Sequence, residues 1–371
     1  MRLPDLTLGI EEEYQIISPQ SRALAPANEA ILEQGRALLG EAIKPELMQS
    51  QIEVGTEVCR NIEEARGEII RLRTAVCDVA ASQGLAMAAA STHPFSSWSE
   101  QEVSAGERYT RLQEDLRDVG RRLLIFGMHV HVGIPDKDLR IDIMNQARYF
   151  MPHLLALSTS SPFWHGRDTG LKSYRSVIFE NMPRSGMPPS FRSWSDYQTF
   201  VETLIATHCI DEPTKIWWDI RPHPSFPTLE FRIADVCTRV NEVLCVAALM
   251  QALVARLIVL RRNNRTWRIY RHHLTTENKW RAVRYGLDGK LIDFGKGREV
   301  PARKLIRELL EFVDEVVDEL RSRSAIDYAH TLLEHGSSAD RQLATFRQTG
   351  SLEAVVDQLV AETREGLGAA R

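Results

Sequence analysis

Apolar residues recur at alternate positions over residues 6–17, where Leu6, Leu8, Ile10, Tyr14 and Ile16 form one set. Side chains two apart share a face of a strand, so this spacing predicts a half-buried β-strand. Residues 48–57, 125–134, 217–221 and 228–234 read as further strands, and the small apolar run 85–91 fits a buried one. Pro135 stops the strand 125–134, and a proline-rich turn joins 217–221 to 228–234. A helical period marks 28–39, 61–83, 104–124, 139–158, 194–208, 301–323 and 351–365, with Ser351 as an N-cap. Residues 184–191 hold Gly186, Pro188 and Pro189 and read as a loop. Strands and helices mix without a βαβ rhythm. The expected class is α+β, an antiparallel sheet covered on one face by helices. No linker or shift of composition divides residues 1–371, so one domain is expected.

The most apolar stretch, 243–260, is about the shortest that spans a bilayer. It contains Gln251 and Arg256, and Arg261 and Arg262 follow directly. An unpaired arginine in lipid is costly, so a buried helix is expected and no membrane partner. The 46 basic and 50 acidic residues give a net charge of −4, which carries no nucleic-acid footprint. Five cysteines, an odd number without a CxxC pair, argue for a reducing compartment and against a disulfide framework or zinc ribbon. The first residues show no apolar signal region. A cytoplasmic location is the expectation.

The polar faces of the strands are unusual. Glu11 and Glu13 share one face, opposite Ile10 and Tyr14, while Glu12 falls among the apolar residues. Gln49, Gln51 and Glu53 share a face, as do His129 and His131, Asp219 and Arg221, and Glu230 and Arg232. A solvated sheet face carries lysine, threonine and serine; Glu11, Glu13, Glu53, His129, His131, Arg221, Glu230 and Arg232 include none of these. Carboxylates gathered on one surface raise one another's pKa unless cations neutralise them. Carboxylates with one or two imidazoles suit Mg²⁺ or Mn²⁺ better than zinc. Divalent ions facing two arginines describe a polyphosphate site. Neither GxxxxGK[ST] nor a GxGxxG after a strand occurs, so a nucleotide would be held by metals and arginines on a sheet face.

These residues resemble the glutamate–cysteine ligase type 2 family of carboxylate–amine ligases, relatives of glutamine synthetase. The matching segments are Thr7-Leu8-Gly9-Ile10-Glu11-Glu12-Glu13, Thr92-His93-Pro94-Phe95, Gly127-Met128-His129-Val130-His131-Val132-Gly133, Trp218-Asp219-Ile220-Arg221-Pro222 and Glu230-Phe231-Arg232. They run in family order, and Arg284-Tyr285-Gly286-Leu287 extends the likeness into the C-terminal third. The resemblance implies a glutamine-synthetase-like curved antiparallel sheet forming a funnel, and one catalytic domain over 1–371. It implies ATP-dependent amide formation, with L-glutamate and L-cysteine as the default pair giving γ-glutamylcysteine, ADP and phosphate. Carried over, Glu11, Glu13, Glu53, His129 and Glu230 are expected to hold Mg²⁺ (or Mn²⁺) around ATP. His131 is expected to contact phosphate or substrate, and Arg221 and Arg232 the transferring phosphoryl group. Arg175 and Arg284 are expected at the acid substrate or nucleotide. The partners are a small carboxylate and a small amine, and a homodimer is implied.

Other readings stand beside this one: the same chemistry on another acid and amine, a metal-dependent phosphohydrolase, or a non-catalytic nucleotide- or metal-binding module. An acyl phosphate needs shielding from water, and 184–191 is the candidate cover. His93 reads as a turn residue, Trp217 and Trp218 as core, His272 and His273 as solvated, and the cysteines as buried thiols.

Overall fold

A computed structural model describes residues 4–368. Seven strands form its main sheet: β1 (Leu8–Ile17), β2 (Ile43–Pro45), β3 (Gln51–Gly55), β4 (Ala86–Ala88), β5 (Met128–Gly133), β6 (Ile220–Pro222) and β7 (Thr228–Phe231). The order is β6-β7-β5-β1-β3-β2, and every pairing is antiparallel. Strand β1 is central. It pairs with β3 along one edge, while β5 takes the first half of the other edge and β4 the last three residues. This is the expected α+β arrangement.

The apolar face of β1 meets the helix Ile62–Ser82, and β5 meets the helix Val240–Arg262. The latter is buried along nearly its whole length, as its near-continuous apolar sequence requires. One continuous hydrophobic cluster extends from Leu6 to Leu359. Ser351 caps the last helix through Oγ, which accepts from the Ala354 amide at 3.1 Å.

Glu12, the misfit of the strand pattern, sits within this apolar layer. Its Oε2 accepts from Arg73 Nε at 3.1 Å and from the Tyr14 hydroxyl at 2.6 Å. Arg73 also donates to the carbonyls of Thr238 and Cys237, at 2.6 and 2.8 Å. Both charged side chains are fully buried. Removing one partner of such a pair strands the other. Arg73→Leu is predicted to cost about 3–5 kcal/mol, read from urea unfolding.

The structure departs from the sequence pattern at identifiable breaks. The expected helix 104–124 divides into Glu107–Leu116 and Asp118–Arg121 at Arg117, whose φ is 48°. The expected helix 139–158 divides into Lys137–Ala147 and Met151–Ser158, with Pro152 in the first turn of the second. The expected helix 301–323 ends at Val317, and Arg323–His335 begins a new one. Three elements carried no clear period: the helices His272–Tyr285 and Ser338–Thr349 and the hairpin Lys290–Asp293 with Arg298–Pro301.

Candidate active site

The polar face of the sheet, together with the helix Tyr174–Phe179 that carries Arg175, builds a cleft of about 380 Å³, lined by Glu11, Glu13, Glu53, His129, Arg175, Arg221, Glu230 and Arg232 among others. Antiparallel register makes these residues neighbours. Glu11 lies opposite His129, Glu13 opposite Glu53, Glu230 opposite His131 and Arg221 opposite Glu230. Five strands, separated widely in sequence, thus place alternate side chains on one surface.

Two donor sets result. In each, ligand atoms of three side chains lie within 4.8 Å of one another: Glu11, His131 and Glu230 in one, Glu13, Glu46 and Glu53 in the other. The His131 Nδ1 is 3.0 Å from the Thr228 hydroxyl, which fixes the ring, and its buried Nε2 has no hydrogen-bond partner and lies 3.6 Å from Glu11 Oε1. A ring held through one nitrogen with the other unengaged is prepared to ligate a metal. A carboxylate-rich set with one imidazole, and a second of three carboxylates, both fit a hard divalent cation.

The electrostatics of the two sets differ. Burial works against the Glu11 carboxylate, but the His129 ring at 3.1 Å and the His131 ring at 3.6 Å outweigh it and hold the acid well below the usual range. Burial likewise opposes Glu230, yet Arg232 and Arg221 keep it ionised far into acid. In the all-carboxylate set, burial and the facing Glu53 push Glu13 up to about 7. Burial and Glu13 push Glu46 up to about 7, and burial and Glu46 raise Glu53 well above the ordinary value. Lys44 is the nearest ammonium, 3.8 Å from Glu53. Arg175 and Arg232 act on Glu13 and Arg108 acts on Glu46, but burial and the neighbouring carboxylates outweigh them.

The arginines have distinct positions. Arg232 Nη1 donates to Glu230 at 2.5 Å, and its buried Nε is without a partner. Arg175 donates through Nη2 to the Arg232 carbonyl at 3.2 Å and lies over the Phe179 ring, and its Nε is likewise buried and unpartnered. Unengaged donors of two buried guanidiniums in one cleft make it receptive to an anion.

Glutamate–cysteine ligase family 2 matches residues 7–358. The chain belongs to that family. It is 56% identical over 361 residues to a protein of Herpetosiphon aurantiacus named "Putative glutamate--cysteine ligase 2", covering 97% of this chain and 94% of the relative. A protein of the same name from Roseiflexus castenholzii is 57% identical over 361 residues, covering 97% and 95%. Among solved structures, the glutamate–cysteine ligase of Francisella tularensis in complex with AMP superimposes with a TM-score of 0.75 at 14% identity, covering 100% of this chain and 91% of that one. A bifunctional glutathione synthetase of Pasteurella multocida gives 0.68 at 15% identity, covering 97% of this chain and 53% of that one. The fold is glutamine-synthetase-like, and membership of the family makes the chain a carbon–nitrogen ligase.

Within the ligase, most residues singled out in the sequence converge, with four changes of place. His131, rather than His129, joins Glu11 and Glu230 in a donor set. His129 Nδ1 instead faces Glu11 at 3.1 Å and Arg232 Nη1 at 3.5 Å, and burial with Arg232 beside it pushes that ring down to about 4. Arg221 braces Glu230. Its Nε donates to Glu230 at 2.7 Å, and its Nη1 donates to the carbonyls of Thr214 and Ile216. It therefore has little left to offer a phosphoryl group, whereas Arg232 and Arg175 each keep an unengaged Nε. Arg284 stays outside the cleft, bonded to the Gly170 carbonyl and stacked on Tyr285. Asp219 does not share the Arg221 face. The strand breaks there, and its carboxylate receives Lys279 Nζ at 2.7 and 2.8 Å.

Glu46 was not legible from the pattern. It lies between β2 and β3, where no alternation marks a face, and lines the cleft together with Lys44 and Leu47. Asp235 also escaped notice. Fully buried, it accepts from the Ser160 amide and the Ser161 and Ser173 hydroxyls at 2.7–2.9 Å, and Ser161 Oγ in turn accepts from the Arg175 amide at 3.1 Å. The hub fixes the backbone from which Arg175 reaches the cleft. His93 is bonded within its own turn, Trp218 is core, Trp217 borders the cleft, and Cys209 is the one exposed thiol.

Gly127 leaves room for Arg175. A Cβ there would lie 2.8 Å from Arg175 Nη2 and 3.3 Å from His129 Nε2. Since a flexible tip can yield, Gly127→Ala is predicted to leave stability nearly unchanged while displacing the guanidinium. Turnover efficiency should fall about ten- to a hundred-fold, measured as kcat/KM for the acid substrate.

Proposed function

We propose that this ligase couples ATP cleavage to amide formation between L-glutamate and L-cysteine by way of an acyl phosphate. The observation that carries the reading is the juxtaposition of two carboxylate-rich donor sets and two arginines with unengaged nitrogens in one cleft. A carboxylate does not condense with an amine at neutral pH, because its oxygen is a poor leaving group. Transfer of the γ-phosphoryl group makes an acyl phosphate, from which the amine nitrogen displaces phosphate. The barrier to that transfer lies mainly in bringing anions together and aligning them.

The residues divide this work. Glu11, His131 and Glu230, and separately Glu13, Glu46 and Glu53, would hold Mg²⁺ ions, which supply charge neutralisation at phosphate oxygens. Arg232, charge-coupled to carboxylates of both sets, presents its free nitrogens to the transferring group. Arg175, fixed by the Asp235 hub, binds the acid substrate. Arg221 holds the Glu230 carboxylate in place. The intermediate must be kept from water. The loop 184–191 does not line the cleft and is tied down through the Arg184 and Gly186 carbonyls. The cover role fits the helix Glu107–Leu116 better. Its Arg108 and Leu112 border the cleft, and Asp115 reaches Lys215 at 3.5 Å.

Glutamate labelled with ¹⁸O in its carboxylates tests the step. One label atom is expected in the phosphate released with each amide formed. Unlabelled phosphate would contradict an acyl phosphate.

A further inference from the structure

Beside the first donor set stands an aromatic group that none of the chemistry above uses. The turn between β6 and β7 reads His223-Pro224-Ser225-Phe226-Pro227. Phe226 is 56% exposed, which is uncommon for phenylalanine, and it borders the cleft. The turn that carries it is braced. His223 Nδ1 accepts from the amides of Ser225 and Phe226, at 3.2 and 2.9 Å, and two prolines fix the backbone on either side. One face of the Phe226 ring lies parallel on the His223 ring, with centroids 4.6 Å apart and planes at 14°. His223 in turn meets the His131 ring edge-on at 5.2 Å, and Phe226 meets it at 6.3 Å. Among the described residues, the aromatic contacts of Phe226 are with these two rings.

The order outward from the sheet is therefore metal-ligating His131, then His223, then Phe226. A rigid, pre-ordered aromatic surface at the rim of a polar cleft loses little entropy on binding and offers stacking area. Every nucleobase has a π-face, and such stacking is tolerant of base identity. The ligand that carries both a polyphosphate and a flat aromatic group is a nucleoside triphosphate.

We propose that Phe226, supported from beneath by His223, is the stacking platform for the base of the nucleotide whose phosphates engage the Glu11–His131–Glu230 set. The proposal rests on the nucleotide-dependent ligase reading and adds to it the residue that receives the base. It assigns the far side of the cleft, with Glu13, Glu53 and Arg175, to the acid substrate. Stacking of this kind does not select adenine over guanine, so base discrimination would have to come from other groups.

The test compares Mg²⁺·ATP with Mg²⁺·tripolyphosphate, which keeps the phosphate chain and lacks the base. Binding of each is measured by calorimetry to the wild-type protein, Phe226→Ala and Phe226→Tyr. Phe226→Ala is expected to weaken ATP about ten-fold or more, with tripolyphosphate unchanged. GTP should lose affinity in parallel with ATP, and Phe226→Tyr should restore both. Two results overturn the platform: ATP affinity unchanged in Phe226→Ala, or ATP and tripolyphosphate weakened equally, which would show a disturbance of the metal set through His223. Wild-type protein that binds tripolyphosphate and ATP alike also contradicts a base subsite while leaving the phosphate site standing. Wild-type protein that binds neither overturns the ligase reading together with the platform.

Discussion

Glu230→Gln lowers Mg²⁺-dependent turnover by about 10³-fold, the order expected when a preorganised charge is lost from an anion-transfer site. Glu230 has three roles. Its oxygens belong to the donor set with Glu11 and His131, it receives Arg221 at 2.7 Å, and it receives Arg232 at 2.5 Å. Glutamine keeps the shape but removes the charge, leaving two guanidiniums that repel one another across a buried space. Arg232 then loses its fixed orientation, and a cation loses a ligand. The variant should therefore show weaker Mg²⁺ binding as well as a lower kcat. Arg232→Lys is a companion: it keeps the charge, loses the planar fork, and should fall almost as far in kcat. Steady-state ADP release and Mg²⁺ titration measure both. A Glu230→Gln protein retaining more than about a tenth of wild-type turnover would contradict the roles assigned here.

Mg²⁺ affinity at the Glu13–Glu46–Glu53 set rises steeply with pH through neutrality. Without a cation, burial and mutual repulsion hold Glu13 and Glu46 near 7 and raise Glu53 well above the ordinary glutamate range. Glu13 and Glu46 carry protons at pH 6, and a metal must displace them. Each proton displaced changes affinity by up to about ten-fold per pH unit below the local pKa, so two give about a hundred-fold. Stability moves the opposite way in metal-free protein. A carboxyl whose pKa is raised by folding favours the folded state in acid, and that contribution fades as pH rises from the ordinary glutamate range to about 7. Mg²⁺ should therefore raise Tm more at pH 8 than at pH 6. Calorimetry in buffers of different ionisation enthalpy should show net proton release on binding at pH 6.5. Affinity independent of pH between 6 and 8 would exclude this set as the cation site.

The strand-borne part of the site was legible because period two fixes which side chains share a face. Glu11, Glu13, Glu53, His131, Glu230 and Arg232 were all placed that way and all line or adjoin the cleft. What alternation cannot give is register. Choosing between His129 and His131 as the ring that joins Glu11 and Glu230 depends on which residue lies opposite Glu230, a property of β5 and β7 together. Glu46 lies on a connection without a period, and Asp235 acts through a buried hub assembled from three segments. The role of Arg221 was misjudged for a related reason. Its charge and face are apparent from sequence, but the Thr214 and Ile216 carbonyls that occupy it come from an adjoining turn. The helix end at Arg117 and the turn at Arg321, after the helix that ends at Val317, fall where non-glycine residues adopt positive φ, which no helical period reveals.

The most direct test of the account is Mg²⁺-dependent ADP release measured against a matrix of carboxylates and amines, beginning with glutamate and cysteine. Turnover that requires both an acid and an amine, yields their amide in equal amount, and is lost in Glu230→Gln is the predicted result. ADP release that proceeds without an amine and forms no amide would contradict a ligase that couples the two through one cleft.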